Sequence, residues 1–90
     1  MKKAIVSVFA KDARGITAYV TALLADRDIN ILDISQTLMQ EYFTMIMLVD
    51  TSDAKLPFAE LVDVLKKEGE TLGVDIRAQR EDIFNAMHRI

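Results

Sequence analysis

Ala4-Ile5-Val6-Ser7-Val8-Phe9-Ala10, then Lys11-Asp12-Ala13-Arg14-Gly15, then Ile16 with Val20, Leu23 and Leu24 behind it, decides the fold. The first seven residues are short, β-branched and almost wholly apolar. That pattern predicts a central strand buried on both faces. From Ile16 the apolar residues fall at i, i+4, i+7 and i+8, one stripe of an amphipathic helix. A tight strand-to-helix turn lies between, and the N–H groups of a helix start point at whatever sits above it. Asp12 is positioned to cap that helix by accepting from an N–H two or three residues on. Asp26-Arg27-Asp28 ends the helix, and Asn30-Ile31 then opens a second strand expected to return to the same place.

Outward from that unit the periods alternate between two and 3.6. Asn30 to Gln40 reads as a strand in which Leu32, Ile34 and Leu38 alternate with Asp33, Ser35 and Thr37, predicting one buried and one polar face. Gln40-Glu41 is a turn without the usual Asn-Gly or Asp-Gly signal. Tyr42 to Asp50 is the third strand, with Phe43, Met45, Met47 and Val49 on one face and Ile46 and Leu48 on the other. The two strands form an antiparallel hairpin. Pro57 suits the first turn of a second helix, where its missing N–H is not needed. Phe58, Leu61, Leu65 and Leu72 form its stripe, with Gly69 on the same side. A mid-helix glycine costs about 1 kcal/mol relative to alanine, so the helix either passes close to a neighbour there or bends. Gly73 terminates it, and Val74 to Gln79 alternates as the fourth strand.

The order β-α-β-β-α-β with right-handed crossovers predicts an α+β, ferredoxin-like sandwich: a four-stranded antiparallel sheet with two helices on one face. It occupies residues 3–80. Glu81 to Ile90 carries Ile83, Phe84, Met87 and Ile90 at helical spacing, with acidic residues leading and His88 and Arg89 closing. Ten residues do not hold a helix alone in water. This C-terminal helical tail is expected to pack on the second sheet face, or on a partner subunit.

Ninety residues make one domain, burying roughly 60–65% of its unfolded surface, so association would help it. The net charge of −3 disfavours nucleic acid, which needs a basic face. With no cysteine, disulfides, thiol catalysis and Cys-ligated zinc are excluded. The apolar run after Met1-Lys2-Lys3 is cut at Lys11, too short for a signal peptide core. Nothing approaches the ~20 apolar residues of a membrane span. A soluble cytoplasmic protein is expected.

The chemistry-bearing residues are sparse. His88 is the only histidine, so no Ser-His-Asp set can be assembled, and it reads as a helix-end charge. Glu68 and Glu70 with Lys66 and Lys67 read as a solvated helix face. Asp50 and Asp53 supply too few oxygens for a dedicated cation site. Three glycines leave no P-loop. Phe9 and Phe43 are the only aromatics offered for base stacking, without a basic rim. We expect no enzyme, no cofactor and no metal.

Asp12-x-x-Gly15-Ile16 with Asn30-Ile31 opening the second strand resembles an ACT domain. The wider chain, through Asn30 to Thr37, Phe43 to Asp50 and Glu81 to Ile90, resembles the small stand-alone ACT proteins of unassigned function. Arg14 stands where that family often has proline. The resemblance implies regulatory binding of an amino acid or related metabolite by paired domains, with the ligand at their interface. It implies a pocket of Asp12, Ala13, Arg14, Gly15, Ile16, Asn30, Ile31 and Leu32. Amides at Gly15 and Ile16 would hold a carboxylate, the Asn30 amide both donates and accepts, and Asp12 is either a cap or the partner of an α-ammonium. The expected function is therefore a homodimeric amino-acid-binding regulator acting on a protein in trans. The alternative is an assembly module without a physiological ligand.

Overall fold

The expected first strand runs Lys3–Ala10 (β1) and takes a central place in the sheet. The computed structural model describes residues 2–11 and 14–82. After β1 come α1 (Ile16–Ala25), β2 (Asn30–Met39), β3 (Tyr42–Asp50), α2 (Phe58–Leu72) and β4 (Asp75–Arg80). Among the described residues these form one four-stranded sheet of order β2-β3-β1-β4, with antiparallel neighbours throughout. This is the ferredoxin-like βαββαβ sandwich. Residues 83–90, most of the expected tail helix, lie outside the described residues, as do Asp12 and Ala13.

Register assigns the faces. Ala4, Val6 and Val8 stand opposite Val49, Met47 and Met45 on one side and Arg80, Ala78 and Ile76 on the other. With Phe43 they make the face that packs on Ile16, Val20 and Leu24 of α1 and Leu61 and Leu65 of α2. Removing each such large apolar side chain from water is worth roughly 1.5–3 kcal/mol. Tyr19 of α1 ties the two helices together, its O–H donating to the Glu68 carboxylate at 2.5 Å. That bond holds the phenol above its ordinary range.

The other sheet face carries Ile5, Phe9, Ile46 and Leu48 and has no helix over it among the described residues. The expectation that β1 is buried on both faces is therefore corrected: Phe9 is 47% exposed, because both helices lie on the opposite side.

β2 also departs from expectation. Both its faces are exposed from Leu32 onward. Ile34 and Leu38 do point to the helix side, opposite Met47 and Phe43, but β2 is an edge strand and the helices do not reach across it. Leu32 breaks the expected alternation, because the register shifts between Ile31 and Asp33 and leaves it as the extra residue of a bulge. Smaller corrections concern helix ends. Pro57 is the N-cap of α2 rather than part of its first turn. Leu72, expected in the stripe, is 42% exposed at the last residue of the helix. The fourth strand begins and ends one residue later than expected, because Val74 is still held by the α2 terminus through its N–H to the Gly69 carbonyl.

Beyond β3 the chain turns on Asp50, whose carboxylate accepts from the Ser52 hydroxyl at 2.6 Å and the Ser52 N–H at 2.9 Å. The Ser52 hydroxyl, first, and the N–H hold this carboxyl below its ordinary value of 3.8. A lowered folded value means stability that is present above about pH 3.8 and lost as pH falls through the folded value. Ser52→Ala is expected to melt lower than wild type at pH 6, with the gap narrowing as pH is lowered toward 2. A pH-independent remainder would report the Lys2 N–H, which donates to the same hydroxyl. Thermal melts across that range check it, and a gap that does not narrow would refute the assignment.

Candidate functional site

Gly15 ends the loop after β1 as the N-cap of α1, with φ 73° and ψ −5°. A left-handed residue costs a side-chain-bearing amino acid about 1–2 kcal/mol, and a Cβ here would meet nothing within 4 Å. Backbone conformation alone therefore calls for glycine. Its carbonyl accepts from Tyr19 N–H at 3.0 Å, starting the helix. Gly15 brings no side chain to the amides of the first turn, which is the arrangement that leaves them for an anionic group. Ile16 is buried in the core, so only its main chain belongs to any site. Arg14 is exposed. Thr17 Oγ1 lies 3.8 Å from Met45 Sδ, so the first turn of α1 sits over β3, beside β2.

Asn30, Ile31 and Leu32 are elsewhere. Asn30 pairs with Asp50, which pairs with Lys3, at the end of the sheet where β1 begins. Gly15 lies at the end where β1 finishes at Ala10, opposite Phe43. The ten residues of α1 separate the two, about 15 Å at the helical rise. The expectation that loop and strand start meet within one chain is thus corrected: α1 runs the length of the sheet between them. Asn30 and Leu32 are exposed, while Ile31 packs against the core opposite Val49. The corner before Asn30 is held by Lys55 Nζ to Asp28 at 3.2 Å, an exposed pair worth little by itself.

Each end of the sheet carries a cleft. At the Asn30 end a hollow of about 550 Å³ lies between Lys2, Lys3, the Thr51–Phe58 segment and Arg80. The Arg80 guanidinium stands 5.5 Å from the centre of the Phe58 ring. At the Gly15 end a more open and largely apolar hollow of about 580 Å³ is lined by Phe9, Lys11, Tyr42, Phe43, Glu70 and Val74, among others. Sequence reasoning missed it, since its walls come from the ends of three strands and one helix. Phe9 and Phe43 were visible only as possible stacking aromatics. Phe43 is 4% exposed and faces the helices, whereas Phe9 lies on the open face. They do not form one platform for bases.

Fold and side chains define a ferredoxin-like domain whose ten-residue strand β2 lies at the sheet edge, with no cluster of three metal-ligating groups among the described residues. No helix among those residues is long and apolar enough to cross a membrane. A family model described as ACT domain matches residues 2–79. The UPF0237 protein of Methanocaldococcus jannaschii is 53% identical over 90 residues, covering all of both chains. That of Clostridium acetobutylicum is 53% identical over 88 residues, 98% of this chain and 99% of its own. A solved ACT domain protein from Streptococcus pneumoniae aligns with a TM-score of 0.82 and 44% identity, over 92% of this chain and 93% of that one. The chain belongs to the ACT domain family, within which it is similar to small proteins of its own length. Their names give no enzymatic activity.

Proposed function

We propose that this domain is a cytoplasmic regulatory module that binds an amino acid or close metabolite as a homodimer and acts on another protein in trans. The observation that carries the reading is the β2 edge. It is ten residues long, with Leu32, Ile34, Leu38 and Met39 between 37% and 68% exposed among polar neighbours, and a long exposed edge is a template for pairing with another strand. Antiparallel pairing of β2 with its copy about a two-fold axis sets Asn30 of the partner beside Met39 of the first chain. That is the end where Gly15 lies. The half-sites that α1 holds apart in one chain then meet between two.

In this reading the amides of Gly15 and Ile16 hold the ligand carboxylate, and Asn30, Ile31 and Leu32 of the second copy close the pocket. The Asn30 amide accepts from the α-ammonium and donates to the carboxylate. Calorimetry with the twenty amino acids tests the proposal. At least one is expected to bind, and Asn30→Ala is expected to weaken it about tenfold or more, the worth of a hydrogen bond to a charged group. Equal binding by Asn30→Ala, or no binding by any of the twenty, would refute it. The sheet face that carries Phe9 and Ile46, with no helix over it among the described residues, supports a second reading, an assembly module without a ligand, to which the latter result would point.

A further inference from the structure

The bulge in β2 constrains how two copies of that strand can meet. Residues directly opposite each other on paired strands share a face of the sheet. In an unbroken strand Asn30 and Met39, one even and one odd, fall on opposite faces and cannot stand opposite each other. The register shift at Leu32 removes this conflict by taking one residue out of the ladder. Asn30, Asp33, Ser35, Thr37 and Met39 then share the open face, paired in turn with Asp50, Leu48, Ile46, Thr44 and Tyr42 of β3. Ser35 is the middle member of that row. Gln40, with φ 56°, ends the strand beyond Met39. The opposite edge of the sheet offers no rival. β4 has six residues and carries the Asp75–Arg77 ion pair at 3.0 Å, and charged side chains blunt an edge.

Resting on the proposed pairing of β2 with its copy, we infer that the two-fold axis of the dimer passes through Ser35. In this register every ladder position of β2 has a partner. On the open face it sets Asn30 against the partner's Met39, Asp33 against the partner's Thr37, and Ser35 against the partner's Ser35. On the helix side it sets Ile31 against the partner's Leu38 and Ile34 against the partner's Gln36. The chemistry of these pairs agrees. No like charges are directly opposed, an arrangement that destabilises a strand pair. At the axis, where a side chain meets its own copy, stands a small hydroxyl. The Asp33 carboxylate, which accepts from the Ile34 N–H at 2.9 Å, faces a donor in the partner's Thr37 hydroxyl. Leu38, 64% exposed in the single chain, gains an apolar neighbour in the partner's Ile31. An axis at Gln36 instead sets Ile34 against the partner's Leu38, but it carries Asn30 past the end of the partner's strand and into the turn at Gln40 and Glu41.

The chain has no cysteine, so a single introduced thiol reports the register. Single-cysteine variants are oxidised in glutathione buffer, and disulfide dimers are followed by non-reducing electrophoresis. Directly opposed positions on antiparallel strands meet the Cα separation that a disulfide needs, and positions displaced along the strands do not. Ser35→Cys is therefore expected to cross-link at least about tenfold faster than Gln36→Cys, Thr37→Cys or Thr71→Cys. Thr71 is exposed on α2 and measures random collision. Asp33→Cys and Thr37→Cys, each slow alone, are expected to form a mixed disulfide after joint refolding. All these side chains are at the surface, and circular dichroism melts establish that each variant is folded. Fastest cross-linking at Gln36, or a mixed disulfide between Ser35→Cys and Thr37→Cys in place of the Asp33–Thr37 one, overturns the register and leaves the pairing of β2 in place. If no β2 position cross-links faster than Thr71→Cys, the register and the dimeric pocket fall together. Calorimetry of the oxidised Ser35→Cys dimer tests the pocket separately. A cross-linked dimer that binds none of the twenty amino acids overturns the ligand and leaves the register standing.

Discussion

Gly69→Ala is expected to destabilise the domain, although it replaces the second-worst helix former with the best. On propensity alone the change should stabilise α2 by about 1 kcal/mol. The site forbids it. A Cβ on residue 69 would lie 2.7 Å from the Val74 carbonyl oxygen and 3.2 Å from Cγ1 of Ile76. The first of these is backbone, and it is not free to move, because Val74 N–H donates to the Gly69 carbonyl at 2.8 Å and the chain enters β4 one residue later. The second belongs to a side chain 2% exposed in the core. Making room means lifting α2 from β4 or displacing the first residues of β4, and overpacking of this kind costs about 1–3 kcal/mol before any local rearrangement. With the lost turn geometry included, we expect a net loss of about 1–2 kcal/mol. For a domain of this size that is a fall in Tm of roughly 5–15 °C. Thr71→Ala, on the exposed side of the same helix, is the control and should change little. A Gly69→Ala protein that melts higher than wild type would show that α2 and β4 are not in contact here.

The same glycine shows what could be read from the chain. Its place on the apolar side of α2 already demanded either a close approach or a bend. The alternation of Phe43, Met45, Met47 and Val49 against Ile46 and Leu48 gave the faces of β3 correctly, because a strand flanked by two others has little freedom of register. β2 was misread for a definite reason. Alternation says which residues share a side, not whether anything covers that side, and Ile34 and Leu38 share a side with the core while standing beyond the reach of the helices. The bulge at Leu32 left no turn signal; its local mark in the structure is the Asp33 side chain accepting from the Ile34 N–H at 2.9 Å. The separation of Gly15 from Asn30 follows from the ten residues of α1, which carry the chain the length of the sheet before β2 opens. The hollow was illegible, since Phe9, Tyr42, Phe43 and Glu70 become neighbours only when strand ends and a helix end converge.

That separation makes possible the most demanding test of the proposed pocket. If each site uses the loop of one chain and Asn30 of the other, two weakened variants should restore full-affinity sites in each other. Asn30→Ala removes one half of every site. Gly15→Val removes the other, because a β-branched residue resists φ 73° and the loop cannot present its amides in the same way. Each homodimer is expected to bind the ligand at least about tenfold more weakly than wild type. In a mixed dimer, one site pairs the intact loop of the Asn30→Ala chain with the intact Asn30 of the Gly15→Val chain. The other site carries both lesions. Random reassortment at equal concentrations makes about half of the dimers mixed, each with one of two sites restored. Binding capacity should therefore return to about a quarter of the wild-type value, with wild-type affinity, as two-fold symmetry requires. The variants are unfolded and refolded together, and active sites are counted by calorimetric stoichiometry. A pocket built within one chain predicts no recovery at all, because every chain in the mixture carries a lesion. No recovery, with mixed dimers demonstrated by differential tagging, would therefore overturn the shared site even if amino-acid binding itself were secure.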